Sequence, residues 1–367
     1  MPKPRIAIVC SSDNWAGTEK WTLRTCEQLV KRGREVKLIC RNTELFLSRR
    51  TSEFPIEKLA FRNDADFISV LKLAGELKKS ADIVILTRVR DYWLGGWAAK
   101  IAGIPVILRL GVVRRLRDNY LMDRLRYGIF PDAIVVNAGA IRDVLLKTSW
   151  IDEKNIHVIY NGVDAPGSLD LETKRKLRMQ MSVSENEILI VGSGRLAVEK
   201  RWFWLVDAAA ELIEKGYPAT VRLMGEGSEK VGISARIAEK KMDKNFILLG
   251  GRKDSVQLQA AADVIALPSA NEGISNTMLE AMGYAVPVVA TISGGLAEFF
   301  RDGENILAAG KENFVGFLER LEKLVNEDDT RNIIGQAGYD TVTGYFNWDT
   351  MADSIETMID EIMEKKK

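Results

Sequence analysis

Two α/β domains, each a doubly wound parallel sheet, are what this sequence predicts, and three observations carry the prediction. Short β-branched runs alternate with longer amphipathic stretches along the chain, the alternation restarts near residue 187, and 367 residues are too many for one compact core. In the first half, strands are expected over 5–10, 35–40, 83–86, 105–110 and 133–136, with helices over 20–32, 67–78 and 93–102. His157, between Ile156 and Val158, reads as a strand residue. Residues 165–186 hold Pro166, Gly167 and a charged helix-like piece with few large apolar residues, as a connection between domains would. The second half opens with a strand over 187–191 and a helix over 202–215, where Trp202 and Trp204 begin a buried helix. Strands over 220–224, 246–249, 264–267 and 286–290 follow. The expected organisation is an N-terminal domain over 1–165, a C-terminal domain over 166–345 and a final helical segment over 346–367.

Composition narrows the function. Fifty-two Lys+Arg against 51 Asp+Glu leave a net charge of +1, which gives no reason to expect a nucleic-acid partner. The balance conceals an asymmetry: residues 1–164 hold 28 basic and 19 acidic residues, +9, and residues 165–367 hold 24 and 32, −8. Arg109, Arg114, Arg115, Arg117, Arg124 and Arg126 lie within eighteen residues, interleaved with apolar side chains. A solvated helix face and a surface for anionic lipid or a phosphate-bearing substrate both fit that run. Cys10, Cys26 and Cys40 have spacings of neither a zinc site nor a disulfide framework, and a single histidine cannot make a two-histidine metal site. No metal is expected. The N-terminus lacks a signal-peptide pattern and no window approaches twenty apolar residues, so the expectation is a cytoplasmic protein.

The segment Glu272-Gly273-Ile274-Ser275-Asn276-Thr277-Met278-Leu279-Glu280-Ala281-Met282 follows one expected strand and precedes another. A loop that opens a helix offers unpaired N–H groups and the positive end of the helix dipole, and a diphosphate suits both. Glu272 and Glu280, eight positions apart, would flank that site, each able to accept two hydrogen bonds from vicinal hydroxyls.

This segment resembles the Glu-x(7)-Glu region of the family-4 retaining glycosyltransferases of GT-B fold, with Leu279, Glu280, Ala281, Met282, Pro287, Val288 and Val289 in register. Further landmarks agree in order: Gly17-Thr18-Glu19, Asn161-Gly162-Val163-Asp164, Gly194-Arg195 with Glu199-Lys200, Gly225-Glu226-Gly227, Gly294-Gly295 with Glu298, Asp302-Gly303-Glu304-Asn305 and Trp348 in the final helix. The resemblance implies two Rossmann-like domains facing a central cleft, with the final helix crossing back to the first domain. It implies transfer of a sugar from a nucleotide diphosphate sugar, UDP- or GDP-linked, with retention of configuration. The acceptor would be a glycan or a lipid-linked glycan, in cell-surface polysaccharide or lipopolysaccharide synthesis. Arg195 and Lys200 would neutralise the departing diphosphate without a metal or other cofactor. Glu272 would contact the donor sugar and Glu280 the ribose. Gly17, Thr18, Gly194, Glu226, Arg252, Gly273, Ile274, Ser275, Asn276 and Thr277 complete the expected donor contacts. Many relatives carry a histidine after the fourth or fifth strand; here Arg88, Arg90, Asp91 and Arg109 stand near those strand ends, and Asp91, Arg88 and Arg109 are the acceptor-side candidates. The basic first half adds peripheral contact with an anionic membrane, at the inner face of the cell membrane.

Three signals point elsewhere. Residues 192–197 fit Gly-x-Gly-x-x-Ala, the dinucleotide fingerprint, although Glu226 comes later than the usual acidic ribose partner. Asp64-Ala65-Asp66 has the form of a metal-holding Asp-x-Asp, yet its place before an expected helix favours an N-cap. The terminal Lys365-Lys366-Lys367 reads as a solvated helix end. The rival functions are a nucleotide-sugar epimerase or hydrolase of the same fold, and a non-catalytic nucleotide- or glycan-binding scaffold.

Overall fold

The computed structural model describes residues 3–59, 61–63, 65–112, 115–118, 120–270, 274–292 and 295–366. Glu272 and Gly273 of the expected site, together with Asp64, Arg114 and Gly294, lie outside them. The chain forms two compact units, Met1–Gly162 with Trp348–Lys367, and Val163–Asn347.

The first unit is built on seven parallel strands, β1 (Ile6–Cys10), β2 (Val36–Cys40), β3 (Ile56–Lys58), β4 (Ile83–Leu86), β5 (Val106–Leu110), β6 (Ala133–Val136) and β7 (Ile156–Val158), in the order β3-β2-β1-β4-β5-β6-β7. Strands β1 and β4 are buried at every position because helices cover both faces of the sheet, which is why they read as continuous apolar runs. Ile6, Ile8 and Cys10 point into one core with Trp21, Leu23, Cys26 and Leu29 of the helix Gly17–Lys31. Met351, Ile355, Met358 and Ile359 of the final helix Trp348–Glu364 join that core. The final helix is held from its side by Arg32, which bonds to Asp349 at 3.1 Å, and by buried Arg34, which bonds to Asp360 at 2.8 Å. A β-carbon on Gly162 would lie 2.5 Å from the Trp348 ring, so only glycine lets the chain leave the unit beside the residue on which it returns. Lys365 and Lys366 are exposed, as expected of a solvated helix end, and Lys366 pairs with Asp132 at 3.0 Å.

The second unit has six parallel strands, β8 (Ile188–Ser193), β9 (Ala219–Met224), β10 (Phe246–Gly250), β11 (Val264–Leu267), β12 (Val288–Thr291) and β13 (Leu307–Ala309), in the order β10-β9-β8-β11-β12-β13. The reading of 165–186 as an interdomain connection needs correction. Its helix Leu171–Gln180 belongs to this unit and is capped by Asp170, which accepts from the Thr173 N–H at 2.9 Å. Lys174 and Arg178 converge on Asp263 at 2.9 and 2.7 Å, and Asp263 also accepts from the Leu189 N–H at 2.9 Å. One carboxylate at the start of β11 turns a charged surface helix into an anchored one, and charge composition along the chain cannot show that.

Other expectations shift at their edges. The helix over 93–102 starts at Val89, β12 starts at Val288, and β3 and β13, three residues each, are too short to carry a period. Asp66 caps the helix Phe67–Ser80 by accepting from the Ser69 N–H at 3.1 Å, as the N-cap reading expects. The helix Trp202–Glu214 begins at Trp202, which is buried, while Trp204 is only half-buried beneath Arg201. Residues 192–197 do not open a helix: Gly192 lies within β8, and a short 3-10 turn, Val198–Lys200, comes before the next helix. The dinucleotide fingerprint therefore lacks its helix N-terminus. All three cysteines are free and buried.

Candidate active site

In each sheet the strand order reverses once, between β1 and β4 in the first and between β8 and β11 in the second. At such a point the loops leaving two neighbouring strands diverge and open a crevice at their carboxyl ends. The polar residues singled out by sequence collect at these two places.

At the β8/β11 point, Gly194, Arg195 and Lys200 leave β8, while Ile274, Ser275, Asn276 and Thr277 lead into the helix Asn276–Met282 after β11. Two hydrogen bonds join the segments: Thr277 Oγ1 donates to the Ser193 carbonyl at 3.3 Å, and the Ala270 N–H donates to the Glu199 carbonyl at 2.7 Å. The loop is pinned below, where Trp202 Nε1 donates to the Arg195 carbonyl at 2.9 Å. The Arg195 side chain is 71% exposed and pairs with Glu199, four residues on. Lys200 lies under the loop, its Nζ 4.0 Å from where a β-carbon on Gly194 would stand. Burial, and then the like charge of Arg195, lower its ammonium to about 8, against the pull of Glu199. An anion placed there would relieve both effects.

The neighbouring β9 loop is pressed against the β8 loop. A β-carbon on Gly225 would meet the Gly194 carbonyl oxygen at 1.8 Å, and one on Gly227 would meet the Leu196 oxygen at 2.2 Å, so both positions require glycine. Glu226 enters through its backbone, accepting from the Leu196 N–H at 2.9 Å, while its exposed carboxylate takes the Gly251 N–H at 3.2 Å and Lys230 at 3.1 Å. Arg252 is paired with Asp254 at 2.7 Å. Glu280 is buried on the helix Asn276–Met282.

At the β1/β4 point the arrangement is drier. Gly17 and Thr18 open their helix, and Glu19, fully buried, accepts from the Ala16 N–H at 2.9 Å and pairs with Arg88 at 2.8 Å. Arg88 also donates to Ser12 Oγ. Asp91 is fully buried in the first turn of the helix Val89–Ala102; its Oδ2 accepts from the Ser11 N–H at 3.2 Å and its Oδ1 has no partner among the described residues. Burial raises this carboxyl to about 7, despite the Ser11 hydrogen bonds and the nearby Arg88 charge. Arg109 at the end of β5 is also buried, and its hydrogen-bond partners are neutral: Asn161 Oδ1 at 3.3 Å and Thr18 Oγ1 at 3.5 Å, with the Trp21 ring 5.0 Å away. Burial lowers the guanidinium to about 10, so it stays charged at neutral pH. A β-carbon on Gly111 would strike it at 2.3 Å.

The structure thus gathers Arg88, Asp91, Arg109 and Thr18 in one unit, and Gly194, Arg195, Lys200 and residues 274–277 in the other. Four contributors escaped the sequence reading of roles. Glu19 had a legible signal, a carboxylate three residues past the N-cap. Asn161 stood in a quoted landmark, Asn161-Gly162-Val163-Asp164, without a role, and Trp21 and Tyr92, whose hydroxyl donates to the Arg109 carbonyl at 2.5 Å, had no signal, because each is brought in by a different element. Among the described residues no three His, Cys, Asp or Glu side chains could hold a metal ion together.

Comparison with known proteins bears on both units. Residues 15–165 match the family model described as Glycosyltransferase Family 4, and residues 185–327 match that of Glycosyl transferases group 1. The lipopolysaccharide core biosynthesis glycosyltransferase LpsE of Rhizobium meliloti is 25% identical over 340 residues, spanning 92% of this chain and 94% of its own. The UDP-Gal:alpha-D-GlcNAc-diphosphoundecaprenol alpha-1,3-galactosyltransferase of Escherichia coli is 26% identical over 389 residues, 99% of this chain and 98% of its own. The crystal structure of HepE from Anabaena, in complex with UDP and glucose, superimposes with a TM-score of 0.86 at 20% identity, covering 98% of this chain and 100% of HepE. That likeness shows the fold.

Proposed function

The chain belongs to the family 4 and group 1 glycosyltransferases of GT-B fold, and on that footing we propose that it moves a hexosyl or similar unit from a nucleotide diphosphate sugar to a glycan or lipid-linked acceptor, with retention of configuration. The observation that carries the proposal is the bridged pair of segments at the β8/β11 point, which sets Lys200 and Arg195 beside the turn 274–277. Breaking a glycosyl phosphate bond leaves charge on the diphosphate, and an ammonium and a guanidinium oppose it without needing a metal. The lowered Lys200 suits this role, because an arriving diphosphate restores its proton affinity. Glu280 accepts from the ribose hydroxyls, and Glu272 contacts the donor sugar. Retention then follows from displacement on the front face of the sugar, in which the acceptor hydroxyl attacks as the diphosphate leaves and the leaving phosphate takes the hydroxyl proton, so no side chain is required as nucleophile.

UDP is the favoured nucleotide, since HepE is described with UDP and glucose and the E. coli relative is named for UDP-Gal. The names of LpsE and of the E. coli enzyme support an acceptor in lipopolysaccharide or another surface polysaccharide. On the first unit, Asp91 and Arg109 orient the acceptor or the donor sugar, and Arg88 is held by Glu19.

Release of free nucleotide from UDP-, GDP- and ADP-sugars, with and without lipid-linked glycan extracts, tests the reading. Acceptor-dependent release from one nucleotide class is expected. Binding without turnover under all conditions would make the chain a scaffold, and acceptor-independent release a hydrolase. Glu280→Ala is expected to weaken nucleotide binding about tenfold, the scale of hydrogen bonds to a charged group; unchanged calorimetric affinity would refute the ribose assignment.

A further inference from the structure

We propose that Arg201 is a positioning residue for the proposed transfer: its left-handed backbone turns Lys200 beneath the β8 loop, and its side chain holds that turn in place. The inference rests on the diphosphate reading only for what Lys200 does; the placement of Lys200 is tested apart from it.

Arg201 is a single residue between two helical pieces, the 3-10 turn Val198–Lys200 and the helix Trp202–Glu214, and its φ is +53°. Such an angle is costly for a residue with a β-carbon and open to glycine. Among the described residues, Ser182, Lys241 and Ala285 are the other non-glycine positions with positive φ. Each of those follows a helix and precedes a strand, at the amino edge of the sheet, whereas Arg201 stands at the carboxyl edge beside the site. Its two neighbours both reach Gly194: a β-carbon there would lie 3.8 Å from Lys200 Cε and 3.4 Å from the Trp202 ring. In an uninterrupted helix, residues two apart do not face the same side. The left-handed joint lets Trp202 pin the Arg195 carbonyl while Lys200 lies under the same loop.

The side chain accounts for an arginine where glycine would fit without strain. Its Nη1 donates to the Lys311 carbonyl, its Nη2 donates to Glu312 Oε1 at 2.6 Å, and its guanidinium lies 4.8 Å from the centre of the Trp204 ring. Trp204 in turn packs edge-on against Phe314, centroids 5.5 Å apart, at the start of the helix Phe314–Asn326. Lys311 and Glu312 lie in the loop that leaves β13, three places from β8 in the sheet. With the Ala270 N–H held by the Glu199 carbonyl, the turn 198–201 is tied to the loops of both β11 and β13. Glu312 is 72% exposed, so that ion pair alone holds little. A planar fork with two acceptors and an aromatic floor fixes one geometry, which a lysine does not reproduce.

The test reads Lys200 directly. Trace acetylation of lysines by acetic anhydride over a pH series, followed by peptide mass spectrometry, reports the titration midpoint of Lys200 with no nucleotide present. In the wild type, burial and then the charge of Arg195, against Glu199, should hold it at about 8. Arg201→Ala and Arg201→Gly should each release the turn, move the midpoint up toward the ordinary 10.5, and lower UDP affinity in calorimetry about tenfold. Arg201→Gly accepts the left-handed angles without strain and loses only the clamp, so it keeps the test readable if Arg201→Ala unfolds. Arg201→Lys should fall between wild type and Arg201→Ala, and Glu312→Ala should lower affinity about threefold at most. An unchanged Lys200 midpoint in Arg201→Gly overturns the proposal. So does an equal shift in Lys241→Ala, at a left-handed position remote from the site, because the cause would then be general loosening. A midpoint that moves as expected in a chain whose wild type fails to bind UDP strikes the diphosphate reading and leaves the positioning role standing.

Discussion

At the β1/β4 edge the charges are enclosed, with Asp91, Glu19 and Arg109 all buried, whereas at the β8/β11 edge Arg195 and Glu226 face solvent, Lys200 is partly covered and Glu280 is buried. Burial by the protein has already moved Asp91 to about 7 and Arg109 to about 10, so these groups are tuned before any substrate arrives. At the other edge solvent screens the exposed pairs, and a ligand must supply the opposite charge. The net charges follow the same division. Counted over the two units, the first holds 31 basic and 24 acidic residues, +7, and the second 21 and 27, −6. The unit figures are smaller than the halves because the final helix returns acids to the first unit, where several pair with Arg32 and Arg34. A basic unit with preset groups suits holding and orienting an acceptor; an acidic unit with one concentrated cationic loop suits catching and releasing a diphosphate.

Four experiments sharpen or break this contrast. The largest effect is expected from Lys200→Ala, which should lower sugar transfer by about 100-fold or more, the usual cost of removing a charge-stabilising donor. A decrease of less than about threefold in kcat/KM would remove Lys200 from the site. Next is Arg109→Gln, expected to reduce transfer about tenfold while nucleotide affinity, measured by calorimetry, stays at the wild-type value; if affinity for UDP falls instead, the two edges do not divide the work. The third is a pH series. The Lys200 ammonium is protonated below about 8 and loses its proton above, so diphosphate affinity should hold below that pH and decline above it, by up to about tenfold per pH unit. Lys200→Arg should flatten that limb, and an unchanged limb would assign it to another group.

The smallest effect concerns stability. Asp91 has a folded value raised above its ordinary 3.8, so the folded chain binds the extra proton and loses stability as pH rises from about 4 through about 7. Asp91→Asn can still accept from the Ser11 N–H without that cost. It should raise the first unit's melting temperature at pH 8 by roughly 3 °C, on the order of 1 kcal/mol, and leave it unchanged at pH 4. Equal gains at both pH values would show a packing effect rather than a buried charge.

Much of the fold was legible because parallel strands covered on both faces are written as apolar runs, as in β1, β4 and β11, and helices as 3.6-residue stripes. Strands of three residues, β3 and β13, leave no such trace. The helix Leu171–Gln180 looked like a linker since its anchor, Asp263, lies some ninety residues away in sequence. At the site, Arg195, Lys200 and the 274–277 turn were readable as a motif, and Arg88, Asp91 and Arg109 as strand-end charges. Their surroundings were not readable. That Arg195 is exposed and Lys200 covered, or that Arg88 is paired while Arg109 meets only neutral partners, depends on side chains from other strands and helices.

By itself, then, the sequence determined the class of fold, the chemistry of the motifs and the order in which they occur, because these are local properties of periodicity and residue type. Tertiary structure alone decided which charges are buried, which are paired, and which apolar side chains are left without a cover. Those outcomes depend on the dielectric surroundings of each group, and neighbours far away in the chain create them. The same six arginines between 109 and 126 illustrate both halves: their number was plain from the start, but only the folded unit turned Arg109 inward to the β1/β4 edge and left Arg115 and Arg124 outside to face solvent.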